Sequence, residues 1–245
     1  MTGSPLFIIG TERSGSNLLR LILNTHSRIT IPHPPHVVRY FAPLEAAYGD
    51  LSRSEEAFAA LVDDILAFVR MHIYPWDIPL DRARVFREAE PRDAFGVTIA
   101  LYDQYREHVG KSRWGCKSTF MIDYTDRVLT RFPNARLIYL TRDPRDVAVS
   151  SRHSVFNPFH PYFTARLWAH QQRTGLMLLR RLPSQTILRV SYEDLISNPV
   201  STVARVCDFL GETFEGQMLR YFSTAEARKA ASLLGRAETS LASSR

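Results

Sequence analysis

The segment Phe7–Asn17, FIIGTERSGSN, contains the residues of this chain that are best suited to binding an anion. Gly10 and Gly15 have the glycine spacing of a phosphate-binding loop, G-x-x-x-x-G. A loop that binds a nucleoside triphosphate and magnesium continues with Lys and then Ser or Thr. This loop continues with Ser16 and Asn17 instead. These departures argue against magnesium ligation of the ordinary P-loop kind, so we expect an anion site without a metal.

Arg13 lies inside the loop, where it can supply the positive charge that the missing lysine would have supplied. Ser14, Ser16 and Asn17 add side-chain hydrogen-bond donors. The backbone N–H groups around Gly15 would point at the ligand, because they open the helix that follows. The loop therefore predicts a phosphate or sulfate site.

A second candidate anion site lies in Tyr139–Ser154, YLTRDPRDVAVSSRHS. Arg142 follows an apolar strand, and Ser150 comes eight residues later, about two turns along the next helix. An arginine at a strand end and a serine on the adjoining helix can hold one phosphate from two sides. Arg145 can either assist them or pair with a neighbouring carboxylate.

The elements that must position these side chains are short apolar strands alternating with helices. Residues 5–10, 114–116, 135–140 and 186–190 predict strands, and helices are predicted at about 15–25, 143–151 and 199–210. This alternation indicates an α/β fold, a three-layer sandwich whose central sheet is mostly parallel, as in P-loop NTPases. Ligands of such sheets bind at the carboxyl ends of the strands, where Arg142 is expected.

Length and composition fit a single domain over residues 1–245, with a helical insertion at about 37–110. The chain has 245 residues, 45% of them hydrophobic. It contains no apolar run long enough to span a membrane, and the first residues lack the charged region of a signal peptide. Two cysteines are too few for a disulfide framework. We therefore expect a cytoplasmic protein.

The basic residues are nearly all arginine, 28 against 3 lysines, and the net charge is +6. Arginine binds phosphate and sulfate with two parallel hydrogen bonds, which favours a protein that handles anions. No basic block with interleaved aromatic residues is present, so we expect no nucleic-acid partner.

Four motifs, taken together and in order, resemble the signature of sulfotransferases that use 3′-phosphoadenosine 5′-phosphosulfate (PAPS), in particular the bacterial type. The resemblance spans about residues 5–211. The family's modified P-loop is similar to Arg13–Ser16, and its W-G-x-K-[ST] element is similar to Trp114–Thr119. Its R-x-x-R/K-D-x-x-x-S element is similar to Arg142–Ser150, and its V-x-Y-E-D-L element is similar to Val190–Leu195.

The resemblance implies a role for each matched residue. Arg142 and Ser150 would hold the 3′-phosphate, and Tyr192 would approach the adenine. The family usually has Thr at the position of Asn17, although an amide can also donate a hydrogen bond. The 5′-phosphosulfate would be held by Arg13, Ser14, Gly15, Ser16 and Asn17.

The family also has a basic C-terminal segment that covers the 3′-phosphate. In this chain Arg228, Lys229 and Arg236 are the candidates for that role.

Sulfuryl transfer requires a charge at the leaving oxygen and a base for the acceptor hydroxyl. Lys117, which follows a predicted strand, is our candidate for the charge, together with Arg13. Related enzymes use Glu or His as the base, so His36 is the first candidate, His33 the second and Glu45 the third.

The acceptor remains open: a small molecule, a lipid or a carbohydrate would fit the aromatic residues between about 41 and 109, which can equally be core. Two other functions also remain open. One is a P-loop kinase or NTPase that uses ATP and magnesium. The other is a non-catalytic module that binds a nucleotide or nucleic acid. The oligomeric state is not predicted.

Overall fold

The computed structural model describes residues 3–152 and 160–230. Its centre is a five-stranded sheet in which every neighbouring pair is parallel. The strand order is β2-β3-β1-β4-β5. The strands are β1 (Leu6–Gly10), β2 (Ile29–Thr30), β3 (Arg113–Lys117), β4 (Arg136–Thr141) and β5 (Ile187–Ser191).

Helices connect the strands and cover both faces of the sheet. They are α1 (Ser16–Asn24), α2 (Val37–Phe41), α3 (Glu45–Tyr48), α4 (Glu55–Met71), α5 (Arg82–Glu88), α6 (Ala94–His108), α7 (Thr125–Arg131), α8 (Pro144–Ser151), α9 (Pro161–Arg181), α10 (Tyr192–Ser197) and α11 (Pro199–Leu210). Short 3₁₀ helices are found at Ala42–Leu44, Thr119–Tyr124 and Gly216–Ser223, and residues 225–230 are helical.

The alternation of side chains along β1 explains the three layers. Leu6 and Ile8 pack into one cluster with α1 and α11, whereas Phe7 and Ile9 pack into another with α6 and α9. Successive strand residues point to opposite faces, so a strand that is apolar throughout must be covered on both sides. The predicted α/β sandwich with a central parallel sheet is confirmed.

The longest connection between two strands of the sheet joins β2 to β3. Its helices α2, α4, α5 and α6 share a third apolar cluster, which contains the buried side chains of Phe41, Phe58 and Leu101. Within the ranges that the structure describes, no helix combines the length and the apolar character needed to cross a membrane.

Candidate active site

The register of the sheet brings the residues of all four motifs to one edge. Gly10 lies opposite Leu140, Thr141 opposite Ser191, and Ile8 opposite Lys117. Because the strands are parallel, the loop after β1, Arg142 after β4, Tyr192 after β5 and Lys117 at the end of β3 leave the sheet on the same side. This is the edge where ligands of such sheets bind.

The loop after β1 requires glycine at both ends. Gly10 has a φ of 137°, and a Cβ there would lie 2.2 Å from the carbonyl oxygen of Leu140. Gly15 has a φ of 84°, and a Cβ there would lie 2.3 Å from Cδ2 of Tyr192. Helix α1 begins directly after Gly15, so its first N–H groups and its dipole face the loop.

Arg13, Arg142 and Ser150 form one hydrogen-bonded group around this loop. Arg13 has a left-handed backbone, with a φ of 66°, and its Nε donates to Ser150 Oγ at 3.1 Å. Arg142 Nη1 donates to the backbone oxygen of Arg13 at 2.9 Å. The Arg142 guanidinium also lies 4.1 Å above the ring centre of Tyr192. The structure thus brings together residues that are far apart in the sequence.

Several buried polar atoms of the site have no hydrogen-bond partner in the part of the chain that the structure describes, and two of them belong to the predicted anion-binding motifs. They are Oγ of Ser14, a completely buried residue, and Nε of Arg142. A buried donor without a partner costs about 1–3 kcal/mol. An anion such as phosphate or phosphosulfate would accept from both, so the residues present fit an anionic donor.

Lys117 is partly buried behind the loop. Among the described residues no group accepts a hydrogen bond from its ammonium, although Glu12, Arg13 and Arg20 are close enough to act on it through their charges. Burial, reinforced by the Arg20 charge, lowers the pKa of Lys117 to about 8.

His36 adjoins Lys117. Its Nδ1 lies 3.0 Å from Ser118 Oγ, and its ring packs edge-on against Phe120. Burial and then the charge of Lys117 lower the pKa of His36 to about 3, so the imidazole is neutral at physiological pH. A neutral imidazole can accept a proton.

The other two candidate bases have different surroundings. His33 stacks on Tyr74, with ring centres 4.4 Å apart, and burial together with Lys117 lowers its pKa to about 2. Glu45 accepts a hydrogen bond from the backbone N–H of Ala94 at 2.8 Å, at the start of α6. Burial raises the pKa of this carboxyl group. Glu45 thus satisfies a helix end, whereas the His36 ring contacts the side chains of Ser118 and Phe120.

A small cavity borders the histidine side of the site. It is lined by Pro35, His36, Tyr102, Ser118 and Met121, among others, and its volume is about 20 Å³. This is close to the space of one water molecule. The cavity is therefore too small to hold a lipid or a carbohydrate.

The residue of this region that the sequence analysis missed is Arg20. It is completely buried and donates to Asn17 Oδ1 at 2.8 Å, to the Ile31 carbonyl at 3.1 Å and to Glu226 Oε1 at 2.7 Å. The available signal was an arginine set between Leu19 and Leu21, three residues after a polar loop residue on the same helix.

The C-terminal candidates are placed as follows. The Arg228 side chain is exposed, and Lys229 Nζ donates to Asp77 at 2.7 Å. Arg236 lies outside the described residues.

Comparisons with known proteins agree with this geometry. The model of the family described as "Sulfotransferase family" matches residues 5–216. An uncharacterized protein of Aquifex aeolicus (strain VF5) is 26% identical over 242 residues, which is 94% of this chain but 28% of that protein. The chain therefore spans well under half the length of this relative.

Two solved structures share the fold. The sulfotransferase domain from the curacin biosynthetic pathway has a TM-score of 0.62 and 23% identity, over 92% of this chain and 80% of that one. The sulfotransferase domain of the Synechococcus PCC 7002 olefin synthase has a TM-score of 0.61 and 25% identity, over 92% and 79%. With a family match over most of its length and this fold, the chain belongs to the sulfotransferase family.

Proposed function

We propose that the protein transfers a sulfuryl group from PAPS to a hydroxyl or amine of an acceptor and releases the product adenosine 3′,5′-bisphosphate (PAP). The observation that carries the proposal is that two candidate anion-binding motifs lie next to each other at one sheet edge. The loop around Ser14 offers buried donors, and Arg142 with Ser150 adjoins it. PAPS differs from ATP in having a 3′-phosphate, which gives the second element a purpose.

The proposed donor contacts divide between these elements. Arg142 and Ser150 hold the 3′-phosphate, and Tyr192, which already packs against Gly15 and Arg142, borders the adenosine. Arg142 offers its unpartnered Nε for this purpose. The residues proposed to hold the 5′-phosphosulfate are Arg13, Ser14, Gly15, Ser16 and Asn17.

The chemistry assigned to this chain is charge neutralisation and proton removal. When bound, PAPS supplies an activated sulfuryl group whose leaving oxygen gains negative charge. Lys117 and Arg13 are positioned to offset that charge. His36, neutral and adjacent to Lys117, takes the proton of the acceptor, with His33 as the second candidate. We expect no metal to take part.

The proposal also assigns the helices of residues 37–110 to the acceptor side of a single domain that comprises residues 1–245. Their location between β2 and β3 puts them next to His36 and Lys117. The acceptor is a small molecule, a lipid or a carbohydrate.

Two other functions make different predictions about ligands. A P-loop kinase would need ATP and magnesium, but Ser16 and Asn17 replace the residues that bind them. A non-catalytic nucleotide or nucleic-acid module would leave Lys117 and the two histidines without a role.

A thermal-shift experiment with PAP, ATP–Mg²⁺ and single-stranded RNA separates these functions. PAP at about 100 times its Kd should stabilise the fold by about 2.7 kcal/mol, which corresponds to an increase in Tm of roughly 5–10 °C. ATP–Mg²⁺ and RNA should have little effect. A response to ATP–Mg²⁺ with none to PAP would overturn the proposal in favour of a kinase, and a response to RNA alone would favour a binding module.

A further inference from the structure

Arg20 is buried in a way that a purely structural residue does not require. Its side chain is 0% exposed, yet its Nη2 has no hydrogen-bond partner in the ranges that the structure describes. Burying a guanidinium is costly even when it is paired, and an apolar side chain of similar size often does as well or better at such a position. This suggests that the arginine has a task beyond packing α1.

The contact between Arg20 and Asn17 determines which way the Asn17 amide faces. Arginine has hydrogen-bond donors but no acceptor, so only the amide oxygen of Asn17 can face Arg20 Nε, at 2.8 Å. The amide NH₂ must then point away from Arg20. No described residue accepts a hydrogen bond from this NH₂ group, so both of its hydrogens remain available to a ligand.

Glu226, which lies in the C-terminal helical residues 225–230, forms an ion pair with Arg20. Its carboxylate lies 2.7 Å from Arg20 Nη1, and the backbone oxygen of the same residue accepts from the Tyr74 hydroxyl at 2.9 Å. Tyr74 in turn stacks on His33. The C-terminal helical residues 225–230 are thereby held beside the candidate site, and Glu226 contacts Arg20 on α1, the residue that in turn contacts Asn17.

We propose that Arg20 is a positioning residue that orients the Asn17 amide with its NH₂ free for the anionic donor, and that Glu226 keeps Arg20 in this pose. The inference rests on the proposed function, because it assigns the donor loop to PAPS. It gives the departure at position 17 a specific purpose: the amide replaces a hydroxyl as donor, and a buried arginine fixes its orientation.

A double-mutant cycle on PAP binding tests the proposal. Isothermal titration calorimetry would give the Kd of the wild type, Asn17→Ala, Arg20→Met and the double variant. Asn17→Ala and Arg20→Met should each weaken PAP binding by about 10- to 150-fold, as for the loss of one hydrogen bond to a charged ligand. If Arg20 acts through Asn17, then Arg20→Met should change the Kd by less than about twofold in the Asn17→Ala background.

A second double-mutant cycle, of Glu226→Ala with Asn17→Ala, tests the same proposal if Arg20→Met does not fold. Glu226→Ala should weaken PAP binding when Asn17 is present and have little effect when it is Ala. The matched control is Ser223→Ala, which removes the hydrogen bond from the Ser223 hydroxyl to the Arg220 carbonyl, just before the same C-terminal segment, without touching Arg20. It should leave the Kd unchanged.

The outcomes separate this inference from the proposed function. A wild-type protein that does not bind PAP would overturn both. If the wild type binds PAP but the losses in the first cycle add, or if Ser223→Ala weakens binding as much as Glu226→Ala, then only the role of Arg20 is overturned.

Discussion

At the scale of single residues, Arg142 combines two tasks that can be separated by experiment. Its Nη1 braces the loop through the backbone oxygen of Arg13, whereas its Nε is buried without a partner in the described part of the chain. The first contact exists without a ligand, and we assign the second to the 3′-phosphate. A ligand that lacks this phosphate therefore reports only the bracing.

Arg142→Ala should weaken PAP binding by about 30- to 150-fold, the loss expected for hydrogen bonds to a charged group. AMP, which lacks the 3′-phosphate, should lose at most about fivefold. Calorimetric Kd values for both ligands measure the difference. The control is Arg145→Ala, because Arg145 is exposed and pairs with Asp143. Equal losses for PAP and AMP would contradict the assignment of Arg142.

Lys117, and not a histidine, should set the pH dependence of turnover. The pKa of Lys117 is lowered from 10.5 to about 8, chiefly by burial, so the ammonium is present below this pH and lost as pH rises through it. The pKa of His36 is lowered from 6.5 to about 3, so His36 does not titrate near neutrality. The kcat/KM for PAPS should fall above about pH 8, and any step near pH 6 should come from the 3′-phosphate of PAPS, whose second pKa is about 6, and not from His36. Radiolabelled sulfuryl transfer to an acceptor found by screening measures this profile.

The variants Lys117→Arg and His36→Ala test which residue causes the fall in the pH profile. Lys117→Arg should move the fall to higher pH, because a guanidinium stays charged. His36→Ala should reduce turnover by about 10²- to 10⁴-fold without moving the fall or changing PAP affinity much. An unmoved fall in Lys117→Arg would exclude this lysine as its origin. Full activity of His36→Ala would move the base elsewhere, to His33 first.

At the scale of elements, α9 connects the sheet to the loop. Tyr139 on β4 donates to Gln172 Oε1 at 2.6 Å, and Gln172 Nε2 donates to Thr11 Oγ1 at 3.0 Å. This contact is possible because Gly175 lets the helix approach the Tyr139 ring. A Cβ at position 175 would lie 2.2 Å from Cζ of Tyr139.

Gly175→Ala should lower the free energy of unfolding by about 1–3 kcal/mol, because the helix or the ring must shift to admit a methyl group. Helix propensity alone predicts the opposite sign, a gain of about 1 kcal/mol. Urea unfolding measures the change, with Arg173→Ala on the exposed side of α9 as the control. A Gly175→Ala variant as stable as the wild type would show that this approach is not tight.

At the scale of the whole molecule, local patterns predicted the sheet and the loop because their signals are contiguous. The apolar run PLFIIG, residues 5–10, predicts β1. Asp143 and Pro144 predict the start of α8, which begins at Pro144. Helix α10 was not predicted, although Ser191 caps it through the N–H of Asp194. The pair of Arg20 and Glu226 could not be predicted, because 206 residues separate them and only the tertiary fold brings them together.

The order of candidate bases shows the same limit. The sequence offered His36, His33 and Glu45, but the pKa values of the histidines depend on burial and on the charge of Lys117. The contact of Glu45 with Ala94 depends on where α6 begins. Neither property has a local sequence signal.

The position of the long connection between β2 and β3 affects how such a chain can diversify. The helices from Val37 to His108 leave and rejoin the sheet at its outer side, where β2 pairs with β3 over only two residues. The pairing of β1 with β4 and of β4 with β5 does not pass through them. Insertions and substitutions there can accumulate over evolution, or be grafted by design, while the rest of the sheet and its loops keep their geometry.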